Sequence, residues 1–275
     1  MSAPALLRRY GLLAIGGIVV LAYAAAALGA PVLLAGSPYD LDVAAMLQGP
    51  SPEHWLGTDE LGRDVLSRVL YGARISLQIQ IAAVGLALLV GTALGVWAGY
   101  VGRWPDMVIM RLVDIMMAFP GIFLALAIIA ALGTGLANVI VASAIFLVPQ
   151  FARVVRGSVL TLKEMEFVTA ARALGERDLT IVARYLLPNS LAPIIVQTTL
   201  RMATVLLTAS GLSFLGLGVQ PPSPEWGAML SNARSYMITA PHVATVPGLA
   251  IMLVVLGFNL LGDGLRDSLD PRLRE

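Results

Sequence analysis

Few side chains in this sequence are able to act as nucleophile, base or metal ligand, and they are widely spaced. Gly211-Leu212-Ser213 sets a serine near the end of an apolar run, as an intramembrane protease would require. Such a nucleophile needs a base within hydrogen-bond reach. His54 and His242 are the only histidines; both fall outside the apolar runs, where a surface role is the ordinary reading. Two histidines and no cysteine leave no disulfide framework and make a poor transition-metal site. No Gly-x-x-x-x-Gly-Lys-[Ser/Thr] motif occurs, so the chain does not cradle ATP phosphates in that way. A carrier coupled to an ion gradient usually places Asp or Glu within its spans to bind and release the ion. Here no acid lies within an apolar run, and Asp114 stands only at an edge. Protease and ion-coupled carrier are both disfavoured.

The charge that remains gathers in EFVTAARALGERDLTIVARYLLPN, Glu166 to Asn189. Phe167, Ala170, Ala171 and Leu174 recur at three- and four-residue intervals. Gly175 suits the left-handed residue that ends a helix, Asp178 suits the cap of a second helix, and Pro188 its stop. The spacing predicts a helix-turn-helix. An amphipathic hairpin on a lipid surface fits the pattern, with Arg172, Arg177 and Arg184 near phosphates. A nucleic-acid reader does not, because Glu164, Glu166, Glu176 and Asp178 nearly balance the basic residues.

The elements that must hold this hairpin are apolar. Of 275 residues, 58% are hydrophobic and 13% charged, where soluble domains carry about 25% charged residues. Charge-free runs cover 10–39, 75–102, 115–152, 185–200, 202–224 and 235–262. The run 115–152 would make a helix of roughly 57 Å against a hydrocarbon core of about 30 Å, and Gly133-Thr134-Gly135 offers a turn. Six spans are therefore expected, at 11–33, 76–101, 115–133, 137–155, 191–214 and 244–262. The first run resembles a signal peptide but is longer than an h-region of about 7–15 residues, so it is expected to stay as a span.

Arg and Lys favour cytoplasmic loops. With both termini inside, Arg8, Arg9, Arg103, Arg111, Arg153, Arg156, Lys163, Arg172, Arg177, Arg184, Arg266, Arg272 and Arg274 are cytoplasmic, and only Arg63, Arg68, Arg74 and Arg234 lie outside. On the outer side, residues 58–74 suit an interfacial helix capped by Thr58 or Asp59, its polar face formed by Arg63, Asp64 and Arg68. Pro221-Pro222-Ser223-Pro224 cannot continue a helix, which places Trp226 as an interfacial anchor.

The 166–189 segment resembles the cytoplasmic loop of ABC importer permeases, Glu-Ala-Ala, three residues, Gly, nine residues, Ile-x-Leu-Pro. The matching positions are Thr169, Ala170, Ala171, Gly175, Tyr185, Leu187 and Pro188, with Thr169 and Tyr185 departing from the usual acid and aliphatic; Glu166 lies one turn before Thr169. The blocks 54–77, 110–120, 212–230 and 247–273 are similar to the second permease of dipeptide, oligopeptide and nickel importers. The resemblance implies an all-α polytopic permease with an N-terminal span and outer segment (1–74), a permease domain (75–275) and a coupling loop (158–190). It also implies short peptides as solute, with nickel as the alternative, in a prokaryotic inner or plasma membrane. It implies as partners a second homologous permease, two ATPases that bind ATP and Mg, and an extracytoplasmic binding protein. The loop residues Glu166, Thr169, Ala170, Ala171, Arg172, Gly175, Leu187 and Pro188 would dock on an ATPase. Asp59, Arg63, Asp64 and Trp226 are candidate contacts of the binding protein.

Arg201 is the one charge well inside a span, roughly 15 Å deep, where a guanidinium costs about 2.5–3.5 kcal/mol to insert. Its expected partners are a water-filled path, backbone carbonyls, the second permease or the solute. The family often has an acid where Ala209 stands.

Overall fold

The computed structural model describes residues 3–269 except residue 35, with side chains from residue 11 onward. The Arg8 and Arg9 side chains, Arg272 and Arg274 lie outside the described residues. The fold is all-α; among the described residues the sole β feature is an isolated bridge between Thr58 and Asp64. In chain order the elements are α1 (Ala3–Leu33), α2 (Val65–Val101), α3 (Arg103–Ala118), α4 (Gly121–Leu132), α5 (Leu136–Leu162), α6 (Glu166–Ala173) and α7 (Asp178–Ile181). A π-helical turn (Val182–Leu186) then leads to α8 (Leu187–Asn189), α9 (Leu191–Phe214), α10 (Trp226–Ala233) and α11 (Pro241–Leu269). Within α1 (over Gly11–Leu33), α2, α5, α9 and α11 the chain is long and apolar enough to cross a membrane; α3 and α4 together pass the same test but are sharply bent, as in a broken span or a re-entrant loop, so the described residues hold five crossings, or six if the bent pair is one.

The third expected span, 115–133, is broken. α3 begins at Arg103 and meets α4 at 94° across Phe119-Pro120. Proline lacks an N–H and drives the preceding residue out of the helical region, and Phe119 is extended (φ −92°, ψ 135°). α3 is instead tied to α5 by a two-pronged pair from Arg156 to Asp106 and by Arg153 to Asp114 at 2.7 Å. The turn expected at Gly133-Thr134-Gly135 does form, and the Asn138 side-chain amide donates to Leu132 O and Gly133 O at the end of α4.

The interfacial helix expected over 58–74 is not separate. Residues 58–64 form a tight loop, Gly62 takes φ +72° where its Cβ would strike Asp42, and α2 runs unbroken from Val65, capped by Asp64 through the Ser67 amide at 2.7 Å. At about 1.5 Å per residue α2 is roughly 55 Å long, longer than a bilayer core is thick.

Two kinds of contact hold the bundle. α2 lies against α5 through Gly91, Gly95 and Gly99, one per turn; a Cβ at Gly95 would sit 2.6 Å from Ala152 O. Small residues at this spacing let helix backbones approach in lipid, where no hydrophobic force separates or joins them. Polar groups provide the second kind of contact: Tyr23 of α1 donates to Gln80 Oε1 of α2 at 2.7 Å, and Gln80 Nε2 donates to Met202 O of α9 at 2.9 Å. α1 packs along α11, and α10 sits between α9 and α11.

Candidate functional site

The charged segment folds as the helix-turn-helix its spacing predicts, at the end of the bundle where α2 and α5 finish. α6 ends in a Schellman motif: Glu176 N bonds Ala171 O at 3.1 Å and Gly175 N bonds Arg172 O at 3.0 Å, with Gly175 at φ +79°. The second helix is capped differently from the expectation. Arg177 is the cap residue and Asp178 begins α7, its carboxylate accepting from Tyr100 OH of α2. Nor does Pro188 stop the helix. A π-helical turn absorbs it, Pro188 enters the first turn of α8, where its missing N–H has no helical partner to lose, and the chain continues through Ser190 into α9.

The hairpin's inward face differs from the one read off the sequence. Val168, Ala171, Ile181 and Leu186 are buried against Val155, Val159 and Ile194. Ala171 therefore packs into its own subunit, while Glu166, Thr169, Ala170, Arg172, Gly175 and Pro188 are exposed and Leu187 is half-buried. Phe167, Leu174 and Leu179 face outward, Leu174 at 85% and Leu179 at 80% exposure. The hairpin is braced to α2 by Tyr100–Asp178, by the Arg172 guanidinium 5.7 Å from the Tyr100 ring centroid, and by Lys163 Nζ on Gly99 O at 3.0 Å.

At the opposite end, residues expected to present charge to solvent are turned inward. Asp59 is 2% exposed and accepts from Leu61 N, Arg63 N, Arg63 Nε at 2.7 Å and Arg68 Nε at 3.1 Å. Arg63 also meets Glu60, and Arg68 reaches Pro38 O. Asp64 spends its carboxylate on the α2 cap and on His54 at 3.1 Å. His242 joins α11 to this loop through Thr58 O at 3.1 Å. Trp226, expected as an interfacial anchor, is buried: its Nε1 donates to Val69 O at 2.9 Å and its ring lies 5.8 Å from Tyr23. Asp59, Arg63 and Trp226 thus have almost no surface to offer a partner, because one buried carboxylate gathers two guanidiniums and one indole fills the α1–α2–α10 junction.

Glu225, which the sequence reading passed over, caps α10 through Ala228 N at 2.9 Å and accepts from Ser210 Oγ of α9 at 3.3 Å. Burial pushes its carboxyl above the usual range, and the Gly227 and Ala228 amides with the Ser213 and Ser210 hydroxyls oppose that shift. A lone acid immediately before Trp-Gly, after a charge-free run, is the sequence signal for such a cap.

Within α9, Arg201 has a partner on its own helix. With the Gln197 amide turned so that oxygen faces the guanidinium, Oε1 accepts from Arg201 Nε at 2.8 Å and Nη2 at 3.0 Å. The expected list of carbonyl, water, solute or second permease missed this partner one turn away. Gln197, Arg201, Thr204 and Thr208 fall at i, i+4, i+7 and i+11, and all are half-buried. Ala209 faces the core, packed with Val205 and Leu212.

Residues 91–275 match the family described as the binding-protein-dependent transport system inner membrane component. The chain is similar to a dipeptide transport system permease protein of Alkalihalophilus pseudofirmus, 52% identical over 268 residues, 98% of this chain and 88% of the relative. It is also similar to a glutathione transport system permease protein of Pectobacterium atrosepticum, 52% identical over 262 residues, 94% of this chain and 86% of the relative. In fold it is similar to the MetNI methionine ABC transporter solved in inward-facing conformations, with TM-score 0.58 and 19% identity over 74% of this chain and 96% of that one. Matched over almost its whole length and folded as an apolar helical bundle, the chain belongs to the family of binding-protein-dependent transport inner membrane components, as a multi-pass permease of an ABC importer.

Proposed function

We propose that this permease passes short peptides, dipeptides to glutathione-like solutes, across the inner membrane together with a second homologous permease. A binding protein delivers them on the outer side. Two separate ATPase subunits hold ATP and Mg and dock on the α6–α7 hairpin, which with both termini faces the cytoplasm. The observation that carries the coupling role is the outward apolar face of Phe167, Leu174 and Leu179 on a hairpin braced to α2 and α5. Such a face at the end of a bundle needs a protein or lipid cover, and rigid bracing lets force pass through it.

The solute reading draws on the peptide-transport names of the relatives and on the half-buried stripe of Gln197, Arg201, Thr204 and Thr208. A guanidinium in such a stripe binds a carboxylate through paired hydrogen bonds and repels a metal cation. The coupling reading is tested at Gly175, where no neighbour lies within 4 Å of a Cβ and the left-handed backbone alone disfavours a side chain. In the reconstituted importer, Gly175→Val is expected to assemble but lose peptide-stimulated ATP hydrolysis, and Gly175→Asn, which tolerates φ > 0, to retain most of it. Full stimulation in Gly175→Val would sink the proposal.

A further inference from the structure

The break between α3 and α4 leaves backbone polar groups unpaired in the middle of the bundle. Among the described residues, Gly121 N, Ile122 N, Met117 O and Ala118 O have no backbone partner across Phe119-Pro120. Facing them is Gln150 of α5, about 21 Å from that helix's outer end and so halfway along it. Its Oε1 is enclosed and accepts no hydrogen bond. On the same face of α5, two turns nearer the outer end, Ser143 is fully buried and its hydroxyl also lacks a partner. A hollow of about 260 Å³ lies at the break, lined by Met116, Met117, Phe119, Gly121, Phe146 and Gln150.

This break does not suit lipid. At membrane depth, non-helical backbone is tolerated only where protein buries it or where it lines a wet cavity, and Met117 and Phe119 are exposed, so this chain does not bury it. Elsewhere in membrane transport, interrupted helices at mid-depth hold solutes with their freed amides and carbonyls. The groups here are mixed: amide donors at the start of α4, carbonyl acceptors at the end of α3, and the Gln150 oxygen. A peptide group, which carries one donor and one acceptor, complements them; a metal cation or a simple anion meets only half. The hollow is smaller than the about 300–1,000 Å³ of sites that enclose a drug-sized ligand, so it grips one peptide unit and not a whole solute.

We propose that the α3–α4 break and Gln150 form a peptide-backbone site on the translocation path, with Gln150 Oε1 accepting a solute N–H. The site rests on the peptide reading given above.

The test uses the complete importer in proteoliposomes with radiolabelled Ala-Ala and Gly-Gly-Gly. Because Gln150 Oε1 has no bond to lose, Gln150→Leu should assemble and melt at or above the wild-type temperature, while uptake at limiting peptide falls at least fivefold through KM. Gln150→Asn, which keeps an acceptor on a shorter arm, should recover part of it. This chain has no cysteine, so Phe119→Cys in an importer with cysteine-free partners reports water access directly. It should react with a hydrophilic thiol reagent and be protected by saturating Gly-Gly-Gly. Unchanged uptake by Gln150→Leu, failure of that variant to assemble, or an unreactive or unprotected Phe119→Cys would overturn the site; assembly failure would mean the second permease covers it. Wild-type importer that takes up neither peptide would instead overturn the peptide reading.

Discussion

Asp59 shows how one carboxylate reorganises residues that the sequence spreads around a helix. Read at helical spacing, Asp59 is a candidate cap and Arg63, Asp64 and Arg68 make a polar face. In the fold, Asp59 accepts from both guanidiniums and from two amides while almost fully buried. Removing one member of a buried ionic cluster leaves the others uncompensated, at about 3–5 kcal/mol. Asp59→Ala is therefore expected to lower the melting temperature of the detergent-solubilised protein sharply, and a shift of under a degree or two would refute the role. Glu225 behaves differently, since its partners are neutral. Its folded pKa is raised above the unfolded one, so the folded state favours the protonated form; that contribution is complete below the unfolded pKa and is lost as pH rises through the folded pKa. Glu225→Gln should remove this pH dependence with little loss of stability at neutral pH, while Glu225→Ala should cost about 1–3 kcal/mol by stranding the Ala228 amide and two hydroxyls. Thermal melts of the two variants between acid and neutral pH measure both. The local chemistry of these acids was visible in the sequence, but not the direction in which their side chains turn: that is decided by Gly62 at positive φ and by the α9–α10 contact.

At the scale of elements, the charge-free runs located the five unbroken apolar helices, because a run without charge has one dominant use in this composition. Boundaries failed where a local breaker or cap mattered more than hydropathy. Phe119-Pro120 splits the third expected span, the Asp64 cap starts α2 eleven residues before the expected 76, and the π-helical turn lets the chain pass Pro188. The hairpin at 166–189 was readable in its turn, through Gly175, but not in its packing, since Val168 rather than Ala170 turns inward. The α2–α5 seam was also legible, as glycines at 91, 95 and 99, and went unread because the run is uniformly apolar. A side chain at Gly95 must push into the α5 backbone. Gly95→Leu is expected to prevent accumulation of folded protein in the membrane, whereas Gly85→Leu, on a face with open space around it, should accumulate normally. Equal accumulation of the two would show that the seam is not what joins these helices.

At the scale of the whole molecule, α9 packs against α2, α5, α10 and α11 and also carries the Gln197–Arg201–Thr204–Thr208 stripe. Gln80 holds it at Met202 O, next to Arg201, and Glu225 holds it at Ser210. If Arg201 meets solute carboxylate, Arg201→Gln should lower peptide uptake by the reconstituted importer about tenfold, the loss of one charged contact at roughly 1.4 kcal/mol, and leave assembly intact. Normal uptake, or loss of assembly, would remove Arg201 from the path.

The length of α2 has a mechanical meaning. Its N-terminal cap sits in the Asp59 cluster, and its last turn, through Tyr100 and Gly99, grips the hairpin at the opposite end. Between them the glycine seam fastens it to α5. A rod of roughly 55 Å fastened around Gly95, well past its middle, behaves as an unequal lever: a tilt of about 5° carries the tip in the Asp59 cluster about 3.9 Å and the tip at the hairpin about 0.8 Å, in opposite senses. Any rocking that opens the loop above α2 must therefore displace Asp178 and the hairpin below it within the same rigid motion, with no relay of side chains in between.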